Sequence, residues 1–363
     1  MKVTIIATEP SGDFLGYKLI QSLKKVKNIE INGVGGELMN SEGFNSWINI
    51  KEFNAIGIYE VLIRIFKFIK LFKHVENRIR KESPNILITI DSPSFCYRLV
   101  DKLQDLRGKI KFIHYVAPTV WAWKAYRSKI FSKSYDKIFT LFDFEPKYFK
   151  KYGGASMFVG HPIFYPKGVE SKKKKIISFY PGSRAVEIKQ NLKKLRPVIN
   201  NCTKKYKSFR FYILTFKNTS RMVEEYIGNE KISIITDFSK KQEIMKTSFL
   251  AVAASGSVTL ELIKYYTPML VFYDTHWFTK MIIKFLVKVK YASIINIVNN
   301  KPVVPEFLFE DFNVGSLSEA IENYLMKKEL RFIQIQYFNK FMKRMLVKDK
   351  NPSELIVKNL ELN

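Results

Sequence analysis

Short runs of apolar residues, many of them β-branched or aromatic, recur along the chain between longer stretches with helical periodicity. The runs cover 2–8, 86–91, 111–116, 137–142, 175–180, 209–215, 231–236, 249–254 and 268–273. Continuous apolar runs of this length are typical of strands buried on both faces of a parallel sheet, and the segments between them of crossover helices. The pattern therefore predicts an α/β fold.

This pattern is interrupted around residues 161–175, where prolines and Gly168 precede a run of four lysines. Such a stretch is typical of an interdomain linker. We expect two Rossmann-like parallel-sheet domains, 1–164 and 165–340, facing across a cleft that holds the ligand. The remaining segment, 341–363, follows these two domains.

The net charge adds an anionic partner to this picture. The chain has 363 residues, and 61 Lys plus Arg against 33 Asp plus Glu give a net charge of +28. Nucleic acid, phospholipid and a phosphorylated metabolite all suit this charge. An apolar fraction of 47% and an aromatic fraction of 15% exclude a disordered basic tail. Part of the lysine excess fits a compositional bias. The positions of the basic residues along the chain therefore have to decide between these partners.

Cysteine, histidine and hydropathy patterns restrict the compartment and the chemistry. Cys96 and Cys202 lie far apart and the four histidines are scattered, so we expect no metal site, no disulfide and a reducing compartment. The N-terminus does not follow the order of a signal peptide. The uncharged run 247–260 has 14 residues, fewer than the 18 or more of a spanning helix.

Two turns in the second half have the composition of a nucleotide site. Gly182, Ser183 and Arg184 follow one apolar run, and Ser255, Gly256 and Ser257 follow another; helical periodicity begins after each turn. A helix N-terminus presents free N–H groups and a positive dipole end to an anion, and an arginine adds a fork suited to phosphate. The Glu261 carboxylate would accept hydrogen bonds from the ribose hydroxyls. An ordinary strand-to-helix turn and a capped helix with an exposed glutamate are the structural alternatives.

Carboxylates follow two predicted strands of the first half. Glu9, Ser11, Gly12 and Asp13 come after the first run, and Asp91 comes after 86–90. A carboxylate at the end of a strand, facing the cleft, is a candidate general base. The alternatives are that Asp91 caps the turn before Pro93 and that Asp13 or Ser11 caps a helix. The chain contains no Asp-x-Asp pair that would bridge a metal to a diphosphate.

Two stretches combine basic and aromatic residues at helical spacing. In 61–74 the members are Arg64, Phe66, Lys67, Phe68, Lys70, Phe72 and Lys73, and 276–288 places three lysines in one stripe. This pattern is typical of a helix that lies in a membrane interface. The alternative is an amphipathic helix packed on its own domain.

The segment 114–123 carries half of the four tryptophans just beyond a predicted strand. Aromatic residues in such a position can line a sugar or acyl-chain pocket, although buried aromatics are more often part of a core. The sequence leaves the choice open.

Together these motifs resemble the lipid-A-disaccharide synthase family, nucleotide-sugar glycosyltransferases of the two-Rossmann-domain GT-B type. The resemblance rests on Glu9-Pro10-Ser11-Gly12-Asp13, Gly33-Val34-Gly35-Gly36, Ile90-Asp91-Ser92-Pro93-Ser94-Phe95, His114 to Trp123, Gly160-His161-Pro162, Pro181-Gly182-Ser183-Arg184, Ala254-Ser255-Gly256-Ser257 to Leu260-Glu261, and Asn296 with Val304-Pro305-Glu306. Thr8, Ala117, Thr119 and Tyr180 depart from the family pattern.

The resemblance implies an inverting transfer of 2,3-diacylglucosamine from its UDP derivative to 2,3-diacylglucosamine 1-phosphate (lipid X), giving the β-1′,6 disaccharide 1-phosphate and UDP. Asp91 matches the family's base position. UDP binding is implied for Gly182, Ser183, Arg184, Ser255, Gly256, Ser257, Glu261 and Asn296. The acceptor and sugar side is implied for Glu9, Ser11, Gly12, Asp13, His114, Trp121 and Trp123. We expect no cofactor, no metal and no nucleic acid.

The resemblance also implies a peripheral enzyme on the cytoplasmic face of the inner membrane, whose anionic lipids the basic aromatic helices would contact. By analogy with GT-B proteins, the segment 341–363 is expected to be helical and to pack back on the first domain. The resemblance leaves oligomerisation open. One alternative is another GT-B UDP-sugar enzyme, such as a lipid-linked N-acetylglucosamine transferase or a UDP-sugar 2-epimerase, which should lack the Trp-Ala-Trp segment. The other is a non-enzymatic membrane or nucleic-acid adaptor.

Overall fold

The computed structural model describes residues 1–53, 61–168, 170–228, 231–274, 280, 289–348 and 350–361, with the backbone alone for 61–67. The chain divides into two compact units, Met1–Tyr165 with Met345–Asn363, and Pro166–Arg344. The first unit ends one residue after the predicted boundary. The chain returns to it at Met345 rather than at 341, because Lys328–Arg344 is one continuous helix of the second unit.

The strands, in chain order, are β1 Lys2–Ala7, β2 Glu30–Gly35, β3 Ser46–Asn49, β4 Ile86–Ile90, β5 Lys111–Tyr115, β6 Lys137–Thr140, β7 Ser156–Phe158, β8 Lys174–Tyr180, β9 Arg210–Leu214, β10 Ile232–Ile235, β11 Ser248–Ala254, β12 Met269–Tyr273 and β13 Glu306–Leu308. The helices are α1 Pro10–Leu23, α2 Glu37–Ser41, α3 Val61–Glu82, α4 Pro93–Lys102, α5 Arg127–Ser134, α6 Pro146–Lys150, α7 Ala185–Lys205, α8 Lys217–Ile227, α9 Phe238–Thr247, α10 Val258–Lys264, α11 Ile294–Asn299, α12 Val314–Met326, α13 Lys328–Arg344 and α14 Pro352–Lys358. Each predicted apolar run overlaps one of these strands, and no strand extends beyond its run by more than one residue.

Each unit holds one parallel sheet. In the described residues the strand order is β3-β2-β1-β4-β5-β6-β7 in the first sheet and β10-β9-β8-β11-β12-β13 in the second. The direction of winding therefore reverses between β1 and β4, and again between β8 and β11. Ligands of doubly wound folds bind at such a reversal, outside the carboxyl ends of the strands. All the predicted turns and carboxylates that follow these four strands lie at one of the two reversal points.

The continuous apolar runs are explained by helices on both faces of the sheets. In β1, Ile5 belongs to a core cluster that includes Leu19 of α1 and Ile356 of α14, whereas the next residue, Ile6, belongs to the opposite cluster with Val75 of α3 and Leu99. Successive side chains of a strand point to opposite faces, so a sheet covered on both sides needs apolar residues at every position.

None of the described helices is long and apolar enough to cross a membrane. The stretch 276–288, predicted to contact a membrane, lies outside the described residues apart from Lys280, which forms an ion pair with Glu310.

Candidate functional site

Asp91 lies at the reversal point of the first sheet, immediately after β4. Its Oδ2 accepts a hydrogen bond from Ser11 Oγ (2.7 Å), and its Oδ1 accepts one from the backbone N–H of Ser92 (2.9 Å). Asp91 and Ser92 both have positive φ, 57° and 42°, in the left-handed region that aspartate tolerates better than most residues. The carboxylate is therefore held in one orientation by two donors from two different chain segments.

A second polar contact joins the loops after β1 and β4. Ser92 Oγ donates to Glu9 Oε1 (2.7 Å) and accepts from Thr8 Oγ1 (2.8 Å). Gly12 allows this approach, because a Cβ at that position would lie 3.2 Å from both Ala7 Cβ and Ile90 O. Glu9, Ser11 and Gly12 are thus brought together with Asp91.

Asp13 was predicted on the acceptor side, and the structure gives it a different role. Its buried carboxylate accepts hydrogen bonds from the backbone N–H groups of Gly36 (2.8 Å), Leu38 (3.1 Å) and Met39 (3.0 Å), which begin α2. A carboxylate at a helix N-terminus satisfies N–H groups that the helix leaves free. The capping alternative is correct for this residue.

His114 was also predicted on the acceptor side, but it belongs to the core. Its ring is fully buried against Phe131 and Tyr135, and its Nδ1 is 2.8 Å from Thr89 Oγ1. Burial lowers the pKa of His114 to about 3, so its ring is neutral near pH 7. Since it points into the core from the middle of a sheet, it has no access to a sugar.

The two tryptophans of the aromatic segment differ in environment. Trp121 packs edge-to-face on Phe144 and donates from Nε1 to Glu145 Oε1 (3.1 Å). Trp123 is 38% exposed and lines the same cavity as Asp91. The structure therefore places Trp123 beside the candidate base and gives Trp121 a supporting position.

Glu145 is a buried carboxylate that the sequence did not single out. Its Oε2 accepts from the backbone N–H groups of Leu141 (3.1 Å) and Phe142 (3.0 Å). Burial raises the pKa of Glu145 to about 7, against the effect of these bonds and of the Trp121 bond, which lower it.

The reversal point of the second sheet holds a cavity of about 220 Å³. Its lining includes Gly182, Ser183, Ser255, Gly256 and Ser257 from the two predicted nucleotide turns, and Glu261 from α10. Tyr180 at the end of β8 closes the same cavity. The two turns that the sequence predicted as one site do share one cavity.

The turn before α7 differs from the prediction in one respect. Glu187 Oε2 accepts from the backbone N–H groups of Ser183 (3.1 Å) and Arg184 (3.4 Å), so these amides are not free. Gly182 makes this possible: it has φ of 124°, and a Cβ there would lie 2.7 Å from the Glu187 carboxyl carbon. Arg184 is exposed and does not line the cavity.

The turn before α10 has more open space. A Cβ at Gly256 would have no atom within 4 Å, and Ser255 Oγ donates to Ala292 O (3.2 Å). Burial raises the pKa of Glu261, while Lys264 and Lys241 lower it.

Two aromatic residues of this cavity were not predicted. Phe216 follows β9 and is 49% exposed, and Phe238 follows β10 and is 71% exposed. The Lys241 ammonium lies 4.5 Å from the centre of the Phe216 ring. Exposed aromatic rings on a cavity wall can stack on a planar base. Their position after strands was the signal available in the sequence.

Asn296, matched to the family's nucleotide site, is not part of the cavity lining. Its side chain is fully buried: Nδ2 donates to Val304 O (2.7 Å) and Glu306 Oε1 (2.8 Å), and Oδ1 accepts from Val304 N (2.9 Å). With both ends of the amide occupied, Asn296 joins α11 to β13 instead of contacting a ligand directly.

The predicted membrane stretch forms the first part of α3. The side chains of Arg64, Phe66 and Lys67 lie outside the described residues. Phe68 and Ile69 are 40% and 43% exposed, and Lys70 and Lys73 are exposed. Phe68 and Phe72 both pack edge-to-face on Phe95, with ring centres 5.8 Å and 5.5 Å away. The later part of the helix is anchored in the core through Val75 and Ile79.

Comparison with known proteins identifies the family. The lipid-A-disaccharide synthetase family model matches residues 3–360. The lipid-A-disaccharide synthase of Rickettsia bellii (strain OSU 85-389) is 34% identical over 372 aligned positions, which cover 98% of this chain and 97% of that protein. That of Rickettsia typhi is 33% identical over 98% of both chains.

The chain belongs to the lipid-A-disaccharide synthase family. It is a glycosyltransferase of lipid A biosynthesis that uses a UDP-sugar donor, as the resemblance predicted. The alternative of another UDP-sugar enzyme is not favoured.

Solved structures place this lipid-A-disaccharide synthase family member in the GT-B fold. UDP-GlcNAc 2-epimerase from Neisseria meningitidis, bound to UDP-GlcNAc, has a TM-score of 0.63 at 14% identity, with 100% of both chains covered. The calicheamicin glycosyltransferase CalG4 has a TM-score of 0.64 at 10% identity, covering 99% of this chain and 98% of that one. The predicted fold class is confirmed.

Proposed function

We propose that the chain transfers 2,3-diacylglucosamine from its UDP derivative to the 6-hydroxyl of 2,3-diacylglucosamine 1-phosphate, with Asp91 as the general base. The 6-hydroxyl gives its proton to the Asp91 carboxylate while its oxygen bonds to the donor's anomeric carbon, and the bond from that carbon to UDP breaks. One such displacement converts an α-linked donor into a β-linked product. The observation that carries the proposal is the Asp91 carboxylate, fixed by Ser11 and the Ser92 amide on the wall of a cavity.

We place UDP in the second unit's cavity. Phe216 and Phe238 offer apolar faces to the uracil, and Glu261 offers a carboxylate to the ribose hydroxyls. The diphosphate would replace the Glu187 carboxylate at the Ser183 amide and would also bind the exposed Arg184 guanidinium. Backbone dipoles and a guanidinium aimed at the leaving group stabilise the negative charge that develops on UDP.

We infer that the enzyme binds the cytoplasmic face of the inner membrane peripherally through the first part of α3. Exposed Phe68 and Ile69 next to exposed Lys70 and Lys73 support this, because apolar rings and lysine stems insert into a headgroup region while the ammonium groups meet anionic lipid. Both substrates carry acyl chains that favour the membrane, so an enzyme bound at the membrane surface would have direct access to them.

The decisive experiment combines product analysis with one substitution. Detergent-solubilised UDP-2,3-diacylglucosamine and 2,3-diacylglucosamine 1-phosphate should yield UDP and the disaccharide 1-phosphate by mass spectrometry. Asp91→Asn keeps the shape and tolerates positive φ, so it should bind UDP normally and lose about 10²- to 10⁴-fold in turnover. The control Asp101→Asn removes an exposed carboxylate from α4 and should leave turnover unchanged. Near wild-type turnover of Asp91→Asn would exclude Asp91 as the base.

A further inference from the structure

A second charged side chain faces the cavity that Asp91 lines. This cavity, of about 200 Å³, is formed by the end of β4, the segment after β5 and the start of α5. Its charged lining residues are Asp91 and Arg127, and Thr119 and Trp123 complete the polar and aromatic wall. One small space thus contains a candidate proton acceptor and a guanidinium.

Arg127 is buried, and no described residue forms an ion pair with it. Arg127 is only 6% exposed. Within the described part of the chain, no carboxylate lies close enough to its guanidinium to form an ion pair. Nη2 donates to the hydroxyl of Ser94 (2.6 Å), and Nε is buried with no hydrogen-bond partner. Burying an arginine charge is costly unless an anion is supplied, and a guanidinium cannot deprotonate to avoid that cost.

Asp91 does not supply this anion. Its two carboxylate oxygens accept from Ser11 and Ser92, and neither oxygen lies close enough to an Arg127 nitrogen to form an ion pair. The remaining contact of Arg127 is with the face of Trp123, whose ring centre lies 5.8 Å from the guanidinium carbon. That contact orients the fork but does not neutralise it. A bound ligand is therefore the natural source of the missing negative charge.

The acceptor has the matching chemistry. A hexosamine 1-phosphate carries one reacting hydroxyl at C6 and one phosphomonoester at C1, and C1 and C5 flank the same ring oxygen. A single molecule can therefore direct the hydroxyl to a carboxylate and the phosphate to a guanidinium on the wall of one cavity. Arginine suits this task because its planar fork binds phosphate oxygens in pairs. The phosphates of the donor are placed in the other unit.

We propose that Arg127 binds the 1-phosphate of the acceptor and thereby selects a phosphorylated monosaccharide. This proposal rests on the assignment of Asp91 as the base in the same cavity. Arg127 is then a specificity-determining residue: it contacts a part of the substrate that does not react, and it positions the 6-hydroxyl at Asp91.

The test measures the phosphate preference, defined as kcat/KM for 2,3-diacylglucosamine 1-phosphate divided by kcat/KM for 2,3-diacylglucosamine. A hydrogen-bonded charge pair predicts a preference of about 10- to 100-fold in the wild type. Arg127→Gln should reduce it to about one by lowering kcat/KM for the phosphorylated acceptor alone. The matched control Lys129→Gln removes an exposed charge from the same helix and should keep the wild-type preference.

Other outcomes overturn the proposal. A purely structural role for Arg127 would lower kcat/KM equally for both acceptors and leave their ratio unchanged. A raised KM for the UDP-sugar at an unchanged acceptor KM would mean that Arg127 binds the donor diphosphate. If Arg127→Gln does not fold, Arg127→Lys decides: it keeps the charge and loses the fork, so the preference should fall about tenfold. An unchanged preference refutes the proposal.

Failure of the Arg127 proposal can be distinguished from failure of the assignment of Asp91 as the base. Asp91→Asn should lower turnover on both acceptors and keep their ratio, whereas Arg127→Gln should change the ratio. If Asp91 is not the base, its variant retains turnover and the phosphate preference of Arg127→Gln can still be measured.

Discussion

Ser11 at the start of α1 and Asp91 after β4 are joined by a hydrogen bond of 2.7 Å across the reversal point of the first sheet. They are 80 positions apart in the chain, and parallel pairing of β1 with β4 brings the loops after these strands to the same edge. The bond fixes the carboxylate that we assign as the base.

We therefore expect Ser11→Ala to lower kcat by about tenfold, since a misoriented base transfers the proton less efficiently while the donor still binds. Steady-state kinetics with both acylated substrates would test this. Ser220→Ala, which removes a hydroxyl from α8, is the control and should keep wild-type kcat. An unchanged kcat for Ser11→Ala would mean that the hydroxyl does not orient the carboxylate during turnover.

Gly256→Ala tests the nucleotide cavity without disturbing the fold. An added Cβ meets no protein atom within 4 Å, so the melting temperature should stay the same, while the methyl group enters the space proposed for UDP. We expect UDP affinity to fall about tenfold by calorimetry. The control is Gly315→Ala in α12, where an added Cβ would make only an ordinary van der Waals contact; it should leave UDP affinity unchanged. Wild-type affinity of Gly256→Ala would place the nucleotide elsewhere.

Arg184→Ala should weaken UDP binding about tenfold, by loss of a charge-assisted contact with the diphosphate. Because Arg184 is exposed, the difference between wild type and variant should shrink as salt is added. Titration of UDP at two ionic strengths measures both effects. The control is Arg196→Ala, which removes an exposed positive charge from α7, the helix that follows Arg184. A difference independent of salt would argue against a direct ionic contact.

Glu145 predicts a specific pH dependence of stability. Its pKa is raised from 4.5 to about 7 by burial, so the folded state binds a proton that the unfolded state releases. The stabilisation is fully present below 4.5 and is lost as the pH rises through about 7, a change on the order of 3 kcal/mol.

Glu145→Gln replaces the carboxyl group by an amide, which does not titrate. The free energy of unfolding in urea, wild type minus variant, should therefore decrease from pH 5 to pH 8. The control Glu224→Gln, an exposed site on α8, should give a difference that does not change with pH. A constant difference for Glu145→Gln as well would contradict the raised pKa.

Lys70→Glu with Lys73→Glu tests membrane contact by α3. At about 1 kcal/mol for each cation near an anionic surface, the double variant should bind anionic vesicles roughly 30-fold more weakly in flotation assays. Lys204→Glu with Lys207→Glu makes the same charge change on exposed sites of the second unit. Equal loss by the two double variants would indicate attraction by net charge rather than a specific helix.

The core strands were predictable because burial on both faces leaves a continuous apolar signal. β2 was missed because Glu30, Asn32 and two glycines interrupt its apolar pattern, and β7 and β13 have three residues each, too few to show one. Strand length and apolar continuity therefore limit which strands the sequence reveals.

For the site, a polar residue after a strand shows position but not orientation. That criterion correctly brought Ser11 to Asp91, yet it also selected Asp13, whose carboxylate turns toward three backbone amides. His114 failed because its segment begins inside β5. Arg127 gave no signal, since one more basic residue in a chain of charge +28 is unremarkable until its burial is known.

The return of the chain from the second unit to the first bears on the order of folding during synthesis. Leu355, Ile356 and Leu360 complete the core beside Leu15 and Leu19 of α1, and these last residues leave the ribosome after the whole of the second unit. Domains fold as units while the chain is made. The second unit can therefore finish folding first, and the unit that carries Asp91 keeps part of its core uncovered until Leu355, Ile356 and Leu360 have been synthesised.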